Sequence, residues 1–398
     1  MLKLRRATVV EVQGATLVVE LEDAPRGARE QRPAIADLAL VGAAQVGDEV
    51  IVNVQALDLG LGSGGFDIVH ANLSRGLTGG GGSAANVMKL NYTSLQHAVE
   101  PVEDALVELP LERPVGVLAL HGQLAAVAWA FAQGAPGGRL GYVQTEGGAL
   151  PGGHSRTVRA LREGGLLAGH LTAGAAFGGE GEAITTAGAL HHGLRTLGWD
   201  AAVCGPGPGI VGSNSALGHG GMSALDSAHC ALALGCPTLL VARMSSGDAR
   251  ARHRGMSHHT LTVLDLLLET VTVALPAGIR SPMGAELRAG LSAVFDGAHA
   301  GGAIGESQSA RPARPPLNLD VERPARITRH DWRRAAVDLP AFAASGLPAE
   351  TMGRGPTEDP LFFGAALAGG TALAVLSAQA TVRSPEEGAV LTEAKLEG

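Results

Sequence analysis

"VGVLALHGQLAAVAWAFAQG", residues 115–134, decides how the rest of the chain is read. An apolar run ends at His121, and small and apolar residues at helical spacing follow it, closed by Gly134. A strand that turns into a helix is half of a βαβ unit, and alone it says little. Four more follow. "LGYVQT" precedes "HSRTVRALREGG", "LAGHLT" precedes "EAITTAGALHHGLRTLG", "DAAVCG" precedes "SALDSAHCALALG", and "TLLVAR" precedes "SHHTLTVLDLLLETV". Parallel neighbours need crossovers, and strands apolar on both sides need cover on both faces. Five consecutive units therefore predict a doubly wound, mostly parallel α/β sheet.

Upstream, "TVVEVQG", "TLVVELED", "AIADLALVG" and "DEVIVNVQAL" are short alternating runs, as in a small, strongly bent β-barrel. The glycine-rich segments "LGLGSGGFD" and "GLTGGGGSAAN" mark the exit from it. Downstream, "AHAGGAIGESQSARPARPPLNLD" reads as a connector, and "TRHDWRRAAVDLPAFAASG" and "DPLFFGAALAGGTALAVLSAQA" as helices that pack back. The expected division is a barrel-like domain at 1–75, a glycine-rich connector at 76–112, the α/β domain at 113–300, a Pro/Gly/Ser-rich connector at 301–325, a helical segment at 326–380 and a frayed tail at 381–398.

The 398 residues are 45% apolar and 17% charged, which excludes global disorder. Only 3% are aromatic, so the core must come from Leu, Val and Ala. A net charge of −8 with so few stacking rings argues against nucleic acid as a partner. The start lacks a continuous apolar signal region, and no window approaches a charge-free membrane span, since "LTVLDLLLETVTVALP" carries Asp265 and Glu269. No membrane partner is expected. Three cysteines without paired spacing read as free thiols in a reducing cytoplasm. The apolar surplus of "AAVAWAFAQ" and "FFGAALAGGTALAVL" points to a homodimer or larger homo-oligomer.

In an open parallel sheet, ligands bind beyond the carboxyl ends of the strands. The loops there carry His121 after the first strand, Thr145, Glu146 and Gly147 after the second, and Gly207, Gly209, Asn214 and Ser215 after the fourth. After the fifth comes "ARARHRGMSHHT", residues 249–260, with three arginines and three histidines in a chain that is acidic overall. Ser257 is placed to cap the helix that follows. Arg252 and Arg254, beside that helix N-terminus, offer forked donors to a phosphate or carboxylate. The expectation is a pocket for a small anionic metabolite, with His253 or His258 moving protons and Glu146 as a second carboxylate, in a hydrolysis or group-transfer reaction. Neutralisation of the arginines by Asp248 is the structural alternative.

Other readings are carried beside it. Gly207, Gly209 and Gly212 form G-x-G-x-x-G, and Arg243 would suit a 2′-phosphate, which admits an NADP-dependent oxidoreductase. Pro206 and Pro208 and the place after the fourth strand count against it. No G-x-S-x-G marker of an α/β-hydrolase is present. His253, His258 and His259 in H-x₄-H-H spacing with Asp248 would suit zinc or manganese, but interleaved arginines oppose a dication, and neither a metal ligand nor a cofactor is assigned. A non-enzymatic scaffold is the further alternative. Tyr92 reads as capping the core or reaching the site, and "ETMGRGPTEDPLFF" as a lid or a helix start.

"NVMKLNYTSLQ", "TEGGALP", "GPGPGIVG", "RHRGMSHHT" and "TMGRGPTEDP" together resemble the bacterial family known as domain of unknown function 3866. The likeness runs from the barrel to the C-terminal helices, and "RHRGMSHHT" is its most specific run; Asn86, Val87, Asn91 and Ser94 depart from the family's pattern. The resemblance implies one integrated architecture and brings no catalytic residue with it.

Overall fold

The computed structural model describes residues 2–22, 30–60, 65–77, 85–213, 215–279, 323–383 and 389–391. β1 (Leu4–Gln13), β2 (Thr16–Leu21), β3 (Glu30–Ile35), β4 (Glu49–Asn53) and β5 (Asp67–Asn72) close into a barrel in the order β1-β2-β3-β5-β4. Its interior is the inward half of each alternating strand, including Ala7, Val9, Leu17, Val19, Val50, Val52 and Val69. "ADLALV" breaks from the expected strand into a short helix α1 (Leu38–Val41), because Asp37 caps the amides of Ala39 and Leu40. A second turn, α2 (Gln55–Asp58), leads out of β4. The fifth strand is "DIVHAN", between the two glycine-rich segments and inside the expected 1–75 bound, but not among the four runs read as strands.

Two small antiparallel elements follow, β6 (Val87–Lys89) with β7 (His97–Val99), and β8 (Val107–Leu109). The main sheet is built from β9 (Val115–Val117), β10 (Leu140–Thr145), β11 (Gly169–Ala173), β12 (Gly181–Ala183), β13 (Ala201–Pro206) and β14 (Thr238–Leu240), joined further along by β17 (Thr272–Pro276) and β18 (Asp331–Ala335). β15 (Met244–Ser245) and β16 (Gly255–Met256) form a short separate ladder. The sheet order is β12-β11-β10-β13-β9-β14-β17-β18, and every neighbouring pair is parallel.

Helices cover both faces, and the strand residues alternate between two cores. Leu140, Tyr142, Ala201, Val203, Leu239 and Ala274 face α3 (Leu124–Gly134), α4 (Arg156–Glu163) and α10 (Pro360–Arg383). Val115, Val117, Val143, Cys204, Leu240 and Val273 face α5 (Thr186–His191), α6 (Ser223–Ala233), α7 (His258–Leu266) and α8 (Arg323–Thr328). α9 (Leu339–Ala343) seats Phe342 against the first core.

α3 and α10 approach closely enough that a Cβ on Gly370 would lie 2.3 Å from the Val127 carbonyl, and one on Gly134 2.8 Å from Ala374 Cβ. The apolar faces read as a subunit contact thus cover one another inside the chain. Phe363 and Leu367 are buried there, each contributing about 2 kcal/mol. Pro360–Ala380 is also long, apolar and charge-free enough to cross a membrane, a window the charge count along the sequence passed over; 83% of it is buried inside the protein.

One strand was not foreseen and one expected helix gives way to strand. "TVALP", just past the last expected helix, is β17, because the chain leaves α7 at Leu267 and returns through the sheet. "DWRRA" is β18, where Trp332 alternates inward onto the core beside Ile327. In the expected tail, Ala389–Leu391 pairs with β8 as β19. The Pro/Gly/Ser-rich run at 301–322 and the end of the expected α/β domain at 280–300 lie outside the described residues, as does Asn214.

Candidate functional site

The crossovers leave β10 toward β11 and β13 toward β14, so the strand order reverses at β10 and β13, where a crevice is ordinarily open. Here backbone fills it. A Cβ on Gly148 would meet the Gly207 carbonyl at 2.3 Å, one on Gly207 the Ala149 carbonyl at 2.4 Å, and one on Gly147, whose φ is +108°, the Gly220 carbonyl at 2.4 Å. Thr145 is buried beneath, its hydroxyl donating to the Glu146 carbonyl. The polar cluster lies two strands further, beyond β14.

Two foldbacks build it. The loop after β13 doubles on itself, with Gly220 N–H donating to the Val211 carbonyl and Ser213 N–H to Gly218, and delivers His219 to the sheet edge. The basic loop is pinned at both ends by the β15–β16 ladder and runs into α7, where Ser257 accepts from the His259 amide. Four imidazoles meet. His219 stacks on His259 with centroids 3.4 Å apart, His258 lies 4.3 Å from His259, and His253 lies 4.9 Å from both His258 and His259. His253 is held by Ser257 Oγ at 2.9 Å from its Nδ1, and Arg243 Nη1 donates to His259 Nδ1 at 2.8 Å.

Beside them, three guanidiniums converge on one buried carboxylate. Arg250 grips Asp248 through Nε and Nη2 at 3.0 and 2.8 Å, while Arg243 and Arg354 each stand 3.6 Å from it. Asp359, fully buried, accepts from the Ser246 and Gly247 amides, from Ser245 Oγ and from Arg354 Nε. Three guanidiniums against two carboxylates leave one positive charge over, with Arg254 donating to the Asp248 carbonyl beside them. Arg250's hydrogen bonds hold the Asp248 carboxyl well below its usual range. Burial, then repulsion by Arg250, brings Arg243 down to about 10. Burial, then Arg243 and Arg250, lowers His253 to about 3, and burial, then Arg243, lowers His259 to about 2. His219 is lowered by burial against the opposing Ala216 carbonyl. These rings are neutral at pH 7, in a field that favours an anion.

The structure gathers His253, His258, Ser257, Asp248 and Arg254 here, and places Gly147, Gly207 and Thr145 in the packed crevice next to it. Other sequence-derived candidates lie apart. His121 is buried on the other side of the sheet, bonded to Ser155 Oγ at 2.8 Å and Tyr142 OH at 3.3 Å. Glu146 is exposed and rests against the turn after β11, where a Cβ on Gly174 would come within 2.5 Å of its Oε2. Ser215 caps Leu217 on the exposed loop tip and Gly209 turns with φ +73°, while Arg252, on the turn Ala251–His253 of the basic loop itself, is exposed. A further loop separates Gly212 from α6, so the glycine motif does not run into a helix N-terminus as a dinucleotide fingerprint does. Tyr92 is 96% exposed, neither core cap nor site residue. His219 and the convergence of Arg243, Arg354 and Asp359 on Asp248 were missed. The available signal was histidine between glycines in "LGHGGM" and arginine between glycines in "MGRGP".

The family described as "Protein of unknown function (DUF3866)" matches residues 33–370, and the chain belongs to it. No curated protein matches the chain. Among solved structures, the chain is similar to the crystal structure of YjeQ from Thermotoga maritima at 12% identity and a TM-score of 0.14, over 56% of this chain. It spans 65% of the length of that structure's chain.

Proposed function

We propose that this member of the DUF3866 family binds a small anionic metabolite, bearing phosphate or carboxylate, beyond the carboxyl ends of the sheet strands, and acts on it by hydrolysis or group transfer. The observation that carries the reading is the surplus positive charge around Asp248, set against neutral histidines and the N-terminus of α7. Arg250 and Arg254 are the exposed guanidiniums that would grip the anion. A bound anion reverses the field that depresses His253, raising its pKa toward the range where it exchanges protons; His258 stands beside it for the same task. Glu146 stands too far along the edge, against Gly174, to be given a part in that step.

The test is a thermal melt of chelator-treated protein with and without millimolar phosphate or sulfate. Saturating anion at about 100 times its Kd should stabilise by about 2.7 kcal/mol, a rise of several degrees. Arg254→Ala should melt like the parent without anion and lose that rise. No rise in the parent, or an Arg254→Ala protein that melts far below it, makes the cluster architecture. We place the protein in the cytoplasm, supported by three free cysteines whose thiols burial pushes up to about 12 for Cys204 and Cys236 and about 11 for Cys230. We also propose a homo-oligomer. With α3 and α10 buried on each other, its support is the exposed Val211, Leu217 and Met352 on the loops around the site, which equally suit a scaffold held by contacts between copies.

A further inference from the structure

We propose that His253, His258 and His259 form a binding site for one transition-metal dication of the zinc class. The site stands on geometry independent of the anion reading, and with the ion bound His253 and His258 are its ligands in place of the proton carriers proposed above. Each residue offers one ring nitrogen, and the three atoms lie within 4.8 Å of one another. Tetrahedral zinc with Zn–N bonds of about 2.0–2.1 Å holds its nitrogens roughly 3.4 Å apart, so binding draws each ring in by about an ångström or less. Side-chain rotation supplies that.

A second observation points the same way. His219 is 7% exposed, its ring is stacked on His259, and neither of its ring nitrogens makes a well-formed hydrogen bond, although the Ala216 carbonyl lies close enough to oppose the lowering of its pKa. A buried imidazole so weakly satisfied calls for a ligand in this cluster. Ser257 already supplies the outer contact of a metal-binding histidine, fixing His253 through Nδ1 and leaving Nε2 for the ion.

Of the arginines interleaved in the sequence, Arg250 and Arg254 are turned onto Asp248 by hydrogen bonds, and Arg252 is exposed. Arg243 donates to His259 Nδ1. In that tautomer the proton sits on His259 Nε2. Ligation through Nε2 moves this proton to Nδ1 and displaces Arg243, whose Nη2 has Asp248 Oδ2 waiting at 3.6 Å. The ion therefore turns Arg243 from His259 to Asp248, with no net proton lost.

The experiment titrates chelator-treated full-length protein with Co²⁺ in a phosphate-free buffer, so it stands or falls apart from anion binding. One saturable equivalent with the intense visible absorption of a four- or five-coordinate ion, displaced by Zn²⁺, is expected. His258→Gln and His253→Gln should each weaken binding roughly 100-fold or more, while His70→Gln, on β5 of the barrel, leaves it unchanged. His258 is only half-buried, so its variant keeps the fold if His253→Gln does not. No saturable band in the parent, only the weak spectrum of a six-coordinate ion, or parent-like binding by His258→Gln overturns the assignment.

Discussion

His121 and His253 are both buried, both kept neutral, and both beyond the carboxyl ends of adjacent strands, yet they sit in different chemical worlds. Around His121 the neighbours are uncharged: Tyr142, whose hydroxyl is spent on the Gly205 and Pro206 carbonyls, Ser155, whose hydroxyl caps α4, and His170, stacked flat on Tyr142. Burial, then His170, lowers His121 to about 4. Around His253 the second cause is arginine. A depressed pKa therefore does not by itself mark a site. A depressed pKa beside an unbalanced charge is the better candidate, because there a bound anion would change the protonation of the ring.

The strongest way to break this contrast is to remove the carboxylate that the outer cluster is built on. Asp248→Ala leaves Arg243 buried without its partner and should cost about 3–5 kcal/mol in urea unfolding. A loss below 1 kcal/mol would mean that the guanidiniums find other acceptors and that the cluster is not strained by its charge. The next effect separates the two histidine groups. His121→Ala opens a cavity and strands Ser155 and should cost about 2–4 kcal/mol, whereas the half-buried His258→Ala should cost under about 1 kcal/mol. Equal losses would erase the distinction between core and site.

The most gradual effect is in acid. His121 and His170 fold with pKa values of about 4, below the unfolded value of about 6.5, so the unfolded chain takes up protons first as pH falls. Their stabilisation is complete above pH 6.5 and is lost progressively toward pH 4, by about 2 kcal/mol per ring at pH 5. Urea midpoints between pH 7 and 5 should fall accordingly. Added phosphate should soften the fall through the outer cluster and leave the contribution of the inner pair untouched; a parallel curve with phosphate counts against an anion at His253.

Much of this architecture is legible in the sequence because it is local. Each of the five strand–turn–helix units carries its own period, and "LGYVQT" matches β10 residue for residue. Ser257 caps α7 as its place before "HHTLTVL" requires. β12 and β18 escaped because a three-residue "GEA" has no period to read and the charges of "DWRRA" disguise an edge strand. The site is less legible for a related reason. The basic loop is visible, but its charge balance depends on Arg243, Arg354 and Asp359, and its fourth ring on His219, which only the crossing of separate loops brings to Asp248 and α7. Neither spacing nor composition encodes that meeting.

The close seat of α10 on α3 also has a timetable. Much of one face of the sheet, from Tyr142 to Ala274, waits for the helix that begins at Pro360, and α3 and α4 emerge early enough to shield only part of it. At about 5–20 residues per second of synthesis, the roughly 240 residues between β9 and α10 take about 12–48 s to appear. Once β17 has emerged and until α10 follows, that face of the sheet lacks the cover it has in the finished protein.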